Sequence, residues 1–215
     1  MYGKWMCVVI MLICFSSSLL CQTSDNVVAE RKFSVGVDVF YYHPNIGDLN
    51  AGFSRMETSL GLQSWSNFKI YYIALPSVAY SINSKMQAVL EGGGSYVRRI
   101  RENSRSFYGV WMIGGKFMYM PLAWNNPPAE LWVSLGTGFI EGEFFRSYAN
   151  DIGLTVVARR MYIDGGVQGR WAINKRMDVN VDLRYLYVPP ITVGALQSKL
   201  KLNAFAAGVG VAYTF

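Results

Sequence analysis

Beyond residue 21 the sequence contains no cysteine, since Cys7, Cys14 and Cys21 are the only three in 215 residues. A mature chain lacking its first 21 residues therefore has no disulfide and no thiol chemistry. Histidine is nearly absent, His43 being the only one, so the nitrogen and sulfur ligands of a zinc site are missing and neither metal nor cofactor is expected. Charged residues make up 16% of the chain, fewer than the exterior of a soluble domain usually carries. The formal charge of +6 is modest, and no nucleic-acid partner is expected from it. No stretch after residue 21 approaches the ~18 uninterrupted apolar residues of a membrane helix. The glycine-rich runs 92–94 and 136–138 precede no helical pattern, which excludes phosphate loops and leaves packing and bends.

What is present is apolar and aromatic, 52% and 15% of residues, over a length that suits one domain. Residues 1–21 have the form of an export signal: Lys4 precedes an apolar stretch from Met6 to Leu20, broken by Ser16, Ser17 and Ser18. That stretch is short of the roughly 20 residues that span a bilayer. Cleavage is expected between Cys21 and Gln22, although the preceding positions lack the small-x-small pattern; a retained anchor is the alternative. Leu20 is too large for Leu19-Leu20-Cys21 to read as a lipoprotein site. The expected organisation is a signal peptide over 1–21 and one domain over 22–215, with 19 basic against 14 acidic residues once Lys4 is lost, a charge of +5.

The dominant signal is period-two alternation. Between Leu200 and the terminus, Phe205, Ala207, Val209, Val211, Tyr213 and Phe215 share one face, and Ala204, Ala206, Gly208, Gly210, Ala212 and Thr214 share the other. The same pattern predicts seven earlier strands, over 32–42, 70–80, 86–97, 107–120, 131–140, 160–173 and 179–188. Pro76 has no N–H for a ladder and predicts a bulge or local break in the second. Eight strands of about 10 residues match what a tilted strand needs to cross a bilayer. The connections read as long (43–69), short (81–85), long and basic (98–106), medium (121–130), long (141–158), short (174–178) and long (189–199), so one end has short turns and the other long loops.

Alternation does not say which face is outside, because a soluble lipocalin-like barrel would use the same residues inverted. Three features favour the apolar face outward. Its aromatics gather at strand ends, with Tyr41, Tyr72, Tyr96, Tyr185 and Tyr187 towards one rim and Phe33, Tyr80, Tyr119, Trp171, Tyr213 and Phe215 towards the other, as interfacial girdles do. The polar face carries few, nearly balanced charges, Asp38, Glu91, Asp164 and Asp182 against Lys116, Arg170 and Arg184, which suits an enclosed network. Before Thr214 the last strand offers only Ala204, Ala206, Gly208, Gly210 and Ala212 on that face, leaving room for long arginines.

With Tyr213-Thr214-Phe215 at its end, the pattern over 22–215 resembles the small eight-stranded bacterial outer-membrane proteins of the A and X type, the porin-like β-barrel domain family. The resemblance implies an all-β fold, an eight-stranded antiparallel up-and-down transmembrane β-barrel in the outer membrane, with the signal peptide cleaved. It implies that Tyr213 and Phe215 serve as the assembly signal read by the barrel-assembly machinery. It also implies outer-membrane lipid and lipopolysaccharide as surroundings, and envelope proteins as candidate partners. Longer members carry a peptidoglycan-binding domain; none follows Phe215, so no cell-wall anchoring is expected.

Eight-stranded barrels are just filled by side chains, so Asp38, Glu91, Lys116, Asp164, Arg170, Asp182 and Arg184 are expected to form an ion-paired plug rather than a pore. Arg98, Arg99, Arg101 and Arg105 against Glu102 give one loop a local charge of +3. With Arg159, Arg160, Lys199 and Lys201 they are either a basic collar for lipopolysaccharide phosphates or a solvated loop. Enzymes on similar barrels resemble one another in using a histidine beside a serine or carboxylate. His43 has Asp38 too far along its strand and no identifiable nucleophile, so no catalytic residue is expected. The expected role is structural or interactive, carried by the external loops. A passive channel or transporter for small solutes or hydrophobic molecules is the alternative, and an enzyme acting on envelope lipid comes third.

Overall fold

A computed structural model describes residues 33–69, 72–101, 104–125, 128–148 and 152–215, and the expected signal peptide lies outside them. Eight long strands close on themselves: β1 (Phe33–Tyr42), β2 (Tyr72–Asn83), β3 (Met86–Arg101), β4 (Ser104–Asn125), β5 (Pro128–Ser147), β6 (Gly153–Ala172), β7 (Met177–Tyr187) and β10 (Ala204–Thr214). Each pairs antiparallel with its neighbour in the chain. The barrel is sealed where β1 meets β10, from Ser34↔Thr214 to Tyr42↔Ala206. Closure leaves no edge through the middle of the wall, the condition for a sheet in hydrocarbon. Two short strands, β8 (Ile191–Val193) and β9 (Ser198–Leu200), form a separate ribbon.

The outward face is apolar. Leu90 (61% exposed), Phe117 (64%), Leu135 (67%), Val209 (62%) and Phe205 (79%) stand on it with nothing over them. A water-soluble protein would not leave so large a contiguous apolar surface bare. Aromatic pairs mark both margins: Tyr41 with Tyr72 and Tyr185 with Phe205 towards the loop end, Phe33 with Tyr80 and Tyr213 with Phe215 towards the turn end. The belt between them is a lipid-facing surface.

Several loop boundaries differ from the sequence reading. The described residues of 98–106 and 121–130, and much of 141–158, are strand, with ladders running to Arg101↔Ser104, Asn125↔Pro128 and Ser147↔Gly153. Strands β4, β5 and β6 have 22, 20 and 20 residues, about twice the 9–11 that cross a bilayer. Pairing of β2 with β3 ends at Ala74↔Gly94 and that of β6 with β7 at Ile163↔Tyr187. Beyond those points β3 to β6 continue as a projecting four-stranded sheet, about 23 Å along the strand from residue 94 to 101. The asymmetry between the ends comes mainly from long hairpins.

Pro76 produces no bulge. Its register with β1 continues through Val37↔Pro76, and the β2–β3 ladder resumes at Ser77↔Glu91 in the register it had at Ala74↔Gly94. The ladder is only interrupted at 75–76, and the glycine run 92–94 lies opposite. A Cβ on Gly93 would stand 2.1 Å from the Ala74 carbonyl oxygen. Gly93→Val is expected to cost about 3 kcal/mol through overpacking against backbone, seen as a lower urea midpoint in micelles. Real register shifts fall between Ser81 and Asn83 and between Tyr119 and Leu122, the second beside Pro121.

Residues 43–69, expected as an irregular loop, contain a helix, α1 (Gly47–Ser59). Leu49, Phe53 and Met56 recur at helical spacing on its inner side, and Asp48 in the first turn complements the helix dipole. Gly61, at φ 64°, ends it in a Schellman closure: Leu62 N–H donates to Glu57 O at 2.9 Å and Gly61 N–H to Thr58 O at 3.2 Å.

Candidate functional site

The interior is layered. In its middle, Arg184 from β7 donates Nη1 to Glu91 at 2.6 Å and Nη2 to Asp182 at 2.7 Å, with Asp164 at 3.9 Å. Lys116 from β4 lies 3.1 Å from Glu91 and 3.6 Å from Asp182. These five side chains are nearly sealed from solvent. They come from β3, β4, β6 and β7, so one ion-paired knot ties half the wall across the lumen. The guanidinium of Arg184 also stacks on Phe40 of β1, 4.0 Å from the ring centroid. Glycine makes the space: Cβ atoms at Gly208 and Gly210 would strike Phe40 and Asp38.

Two of the seven expected members stand apart from the knot. Among the described residues Arg170 makes no ion pair; it donates to Gln87 at 3.2 Å and Gln168 at 3.1 Å and lies over Trp132. Asp38 is buried on the inner face beside Asn180, with no salt bridge among the described residues. Together with Lys116 they border a cavity of about 30 Å³, room for about one or two waters.

Towards the loop end the lumen turns apolar and receives α1 and the ribbon. Leu49 and Phe53 of α1, Phe68, and Leu200 and Leu202 pack among Tyr108, Val110, Ile140 and Phe144 of the wall, all of them buried. Phe68 meets Phe53, Tyr108 and Phe144 edge to face at 5.3, 5.3 and 5.4 Å. Asn50 clamps the returning chain in both directions, accepting from Phe68 N–H at 2.9 Å and donating to its carbonyl at 3.2 Å. Tyr42 donates its hydroxyl to the Leu202 carbonyl.

A second buried ion pair holds this cap. Arg146 of β5 donates to Glu57 of α1 at 2.6 Å, and both side chains are 0% exposed. Tyr148 donates to the same carboxylate oxygen at 2.6 Å, and Arg146 also donates to the Ser66 carbonyl at 3.2 Å. The guanidinium is sandwiched between Phe53 and Phe68, 4.7 and 4.4 Å from their centroids. Burial, then the hydrogen bond to Glu57, pushes the Tyr148 phenol well above its ordinary range. A raised folded-state pKa gives stability that is whole below the unfolded value of about 10 and is lost as pH rises through the folded one. Tyr148→Phe should therefore flatten the loss of cap stability above about pH 10, measured by hydrogen exchange of 47–68.

The loop-end basic residues do not share one face. Alternation along β3 and β4 turns Arg98 and Arg105 to the outer face of the projecting sheet, beside the aromatic row Tyr96, Phe107 and Phe145. Arg99 points inward and donates to Ser66, and the side chain of Arg101 lies outside the described residues. Arg159 pairs with Glu141 at 2.5 Å and Lys201 with Asp48 at 3.4 Å; Arg160 and Lys199 are exposed. His43 stacks on Tyr41 where β1 leaves the wall, whereas Asp38 points into the lumen five residues back. At the end of the chain, Phe215 N–H donates to Phe33 O at 3.0 Å and Tyr213 accepts from Arg176 at 3.1 Å.

Glu57, Arg146 and Tyr148 were not among the residues singled out from sequence. The signals existed: helical spacing of Leu49, Phe53 and Met56, and alternation continuing past Ile140 through Gly142, Phe144 and Arg146 on the inner face.

A closed wall that is apolar outside and ion-paired inside defines an integral β-barrel membrane protein, and its fold is that of the small eight-stranded outer-membrane barrels. No protein-family model and no curated protein matches the chain, but solved structures do. The attachment invasion locus protein Ail of Yersinia pestis is similar, with 11% identity and a TM-score of 0.51 over 86% of this chain and 99% of that one. Its complex with the heparin analogue sucrose octasulfate matches at 9% identity and TM-score 0.50, over 86% and 97%. Neisserial surface protein A follows at 14% and 0.49, over 85% and 97%. At these identities what is shared is the fold.

Proposed function

We propose that the protein is a non-conducting barrel of the bacterial outer membrane, loop end outward, that acts through the sheet it raises above the bilayer. The observation that carries this reading is strand length: β4 to β6 run about ten residues further than crossing requires. Their projecting part carries an aromatic row flanked by Arg98 and Arg105, which suits contact with the phosphates and sugars of lipopolysaccharide or with an envelope protein.

Closure is supported twice over, by the charge knot in the middle of the lumen and by the apolar cap above it. Both fill the lumen with packed side chains, which supports the closed reading over the alternative of a passive channel. In planar bilayers the purified protein is expected to give no reproducible unitary conductance; steady channels would overturn the closed reading. For the outer face, Arg98→Gln with Arg105→Gln is expected to weaken binding to lipopolysaccharide micelles about tenfold. Unchanged binding would remove that contact.

A further inference from the structure

The loop-end half of β6 has a strand on one side only. Its ladder with β5 runs the whole way to Ser147↔Gly153, whereas its ladder with β7 begins at Ile163↔Tyr187. Beyond Tyr187 come Pro189 and Pro190, which have no N–H for a ladder, and the chain turns into the lumen with Val188 and Ile191 buried. Side-chain donors show which way the backbone of β6 points. Thr137 Oγ1 of β5 donates to the Tyr162 carbonyl at 2.8 Å, so the even-numbered residues address β5. Arg160 Nη1 reaches round to the Arg159 carbonyl, on the other side, at 3.2 Å. By alternation Thr155, Val157 and Met161 direct their N–H and C=O groups to that other side, where no strand lies among the described residues. All three are exposed.

The two edges of the projecting sheet differ in sequence. On the β3 edge, residues 95–101, stand Arg98, Arg99 and Arg101, and repeated charge is how natural edges refuse a further strand. On the β6 edge Gly153 to Ala158 carry no charge and no proline, and Leu154, Thr155, Val156 and Val157 have the composition of a strand that pairs. The β5–β6 register is constant through this stretch, so the edge is regular, without the bulge that would twist it away from a partner.

We infer that residues 153–161 of β6 take an extended segment of another protein as an added antiparallel strand. This rests on the reading that the sheet stands above the bilayer, but Arg98 and Arg105 play no part in it. Main-chain hydrogen bonds hold the segment, and its β-branched side chains pair with Thr155 and Val157. An acidic residue opposite Arg160 draws the guanidinium off the Arg159 carbonyl, which then accepts from the segment. A second copy of the chain does not fit. Copies inserted in one membrane carry β6 in the same direction, whereas two identical edges related by a two-fold axis pair antiparallel.

The probe is a fluorescent peptide of alternating threonine and valine, as long as the open edge and with one glutamate placed to meet Arg160, added to the protein in nanodiscs. N-methylation of the peptide amides that face Thr155, Val157 and Met161 should weaken binding at least about tenfold, and N-methylation of the alternate amides should leave it unchanged. Val157→Pro removes an N–H from the open side and none from the β5 ladder, so it should keep the parent melting temperature and weaken binding about tenfold. Arg160→Glu should reject this peptide and bind its lysine counterpart, and it serves should the proline variant not fold. Thr155→Cys should react with a water-soluble maleimide. Failure to react would put the edge in lipid and overturn both this inference and the reading it rests on. Reaction without peptide binding, or equal binding of the two N-methylated peptides, overturns the inference alone.

Discussion

Glu57→Ala releases the cap and leaves the barrel standing. The substitution strands the Arg146 guanidinium, 0% exposed, between two phenylalanines without its counter-charge, and breaking a buried pair from one side costs about 3–5 kcal/mol. The apolar contacts of Leu49, Phe53 and Phe68 contribute about 1.5–3 kcal/mol each, so losing the pair removes a large part of what docks α1. Residues 47–68 should then exchange amide hydrogens and become cleavable by protease, while β1 to β7 and β10 stay protected. The double substitution Glu57→Leu with Arg146→Met removes both charges and should recover most of the docking, because a well-packed apolar pair often replaces a buried ion pair without loss. Protection of 47–68 in Glu57→Ala equal to that of the parent would show that the pair does not hold the cap.

Arg184→Leu has the opposite reach and weakens the barrel as a whole. Arg184 is the partner that Glu91 and Asp182 both contact within 2.7 Å, with Asp164 at 3.9 Å. Its loss leaves Lys116 to face three buried carboxylates. A penalty of about 3–5 kcal/mol is a large share of the stability of a domain this size. It should appear as a lower urea midpoint and a lower temperature for loss of the compact gel band. Arg184→Lys keeps the charge but not the planar fork that reaches Glu91 and Asp182 together, so it should fall between the parent and the leucine variant. A midpoint unchanged in Arg184→Leu would sink the knot as a stabilising element. On the closed reading proposed above, the cap and the knot block the lumen in series, so bilayers should stay silent with Glu57→Ala alone and conduct only when cap and knot are both removed.

The middle of the wall was legible because a two-residue period admits few misreadings. Val179, Val181 and Leu183 against Asn180, Asp182 and Arg184 leave one way to set β7 in a barrel, and its observed span, Met177–Tyr187, differs from the expected one by a residue or two. The inward charges were found for the same reason. Their grouping was not: which of Asp38, Arg170 and Arg184 joins Glu91 depends on stagger between strands, and stagger follows from closure of the whole sheet. Arg98 to Ser106 misled because charge and serine read as loop, whereas a hairpin above the bilayer uses polar residues on both faces and loses the apolar signature of a strand.

Taken alone, the order of residues determined an alternating wall, the number of barrel strands, and which side chains share a face, because sharing a face is a local property of a pleated chain. Only the tertiary structure decided that residues 47–59 fold back as a helix into the mouth and that Glu57 finds Arg146, 89 positions away. That contact belongs to the space the closed barrel encloses, and no local pattern encodes a space that exists only once β1 has met β10.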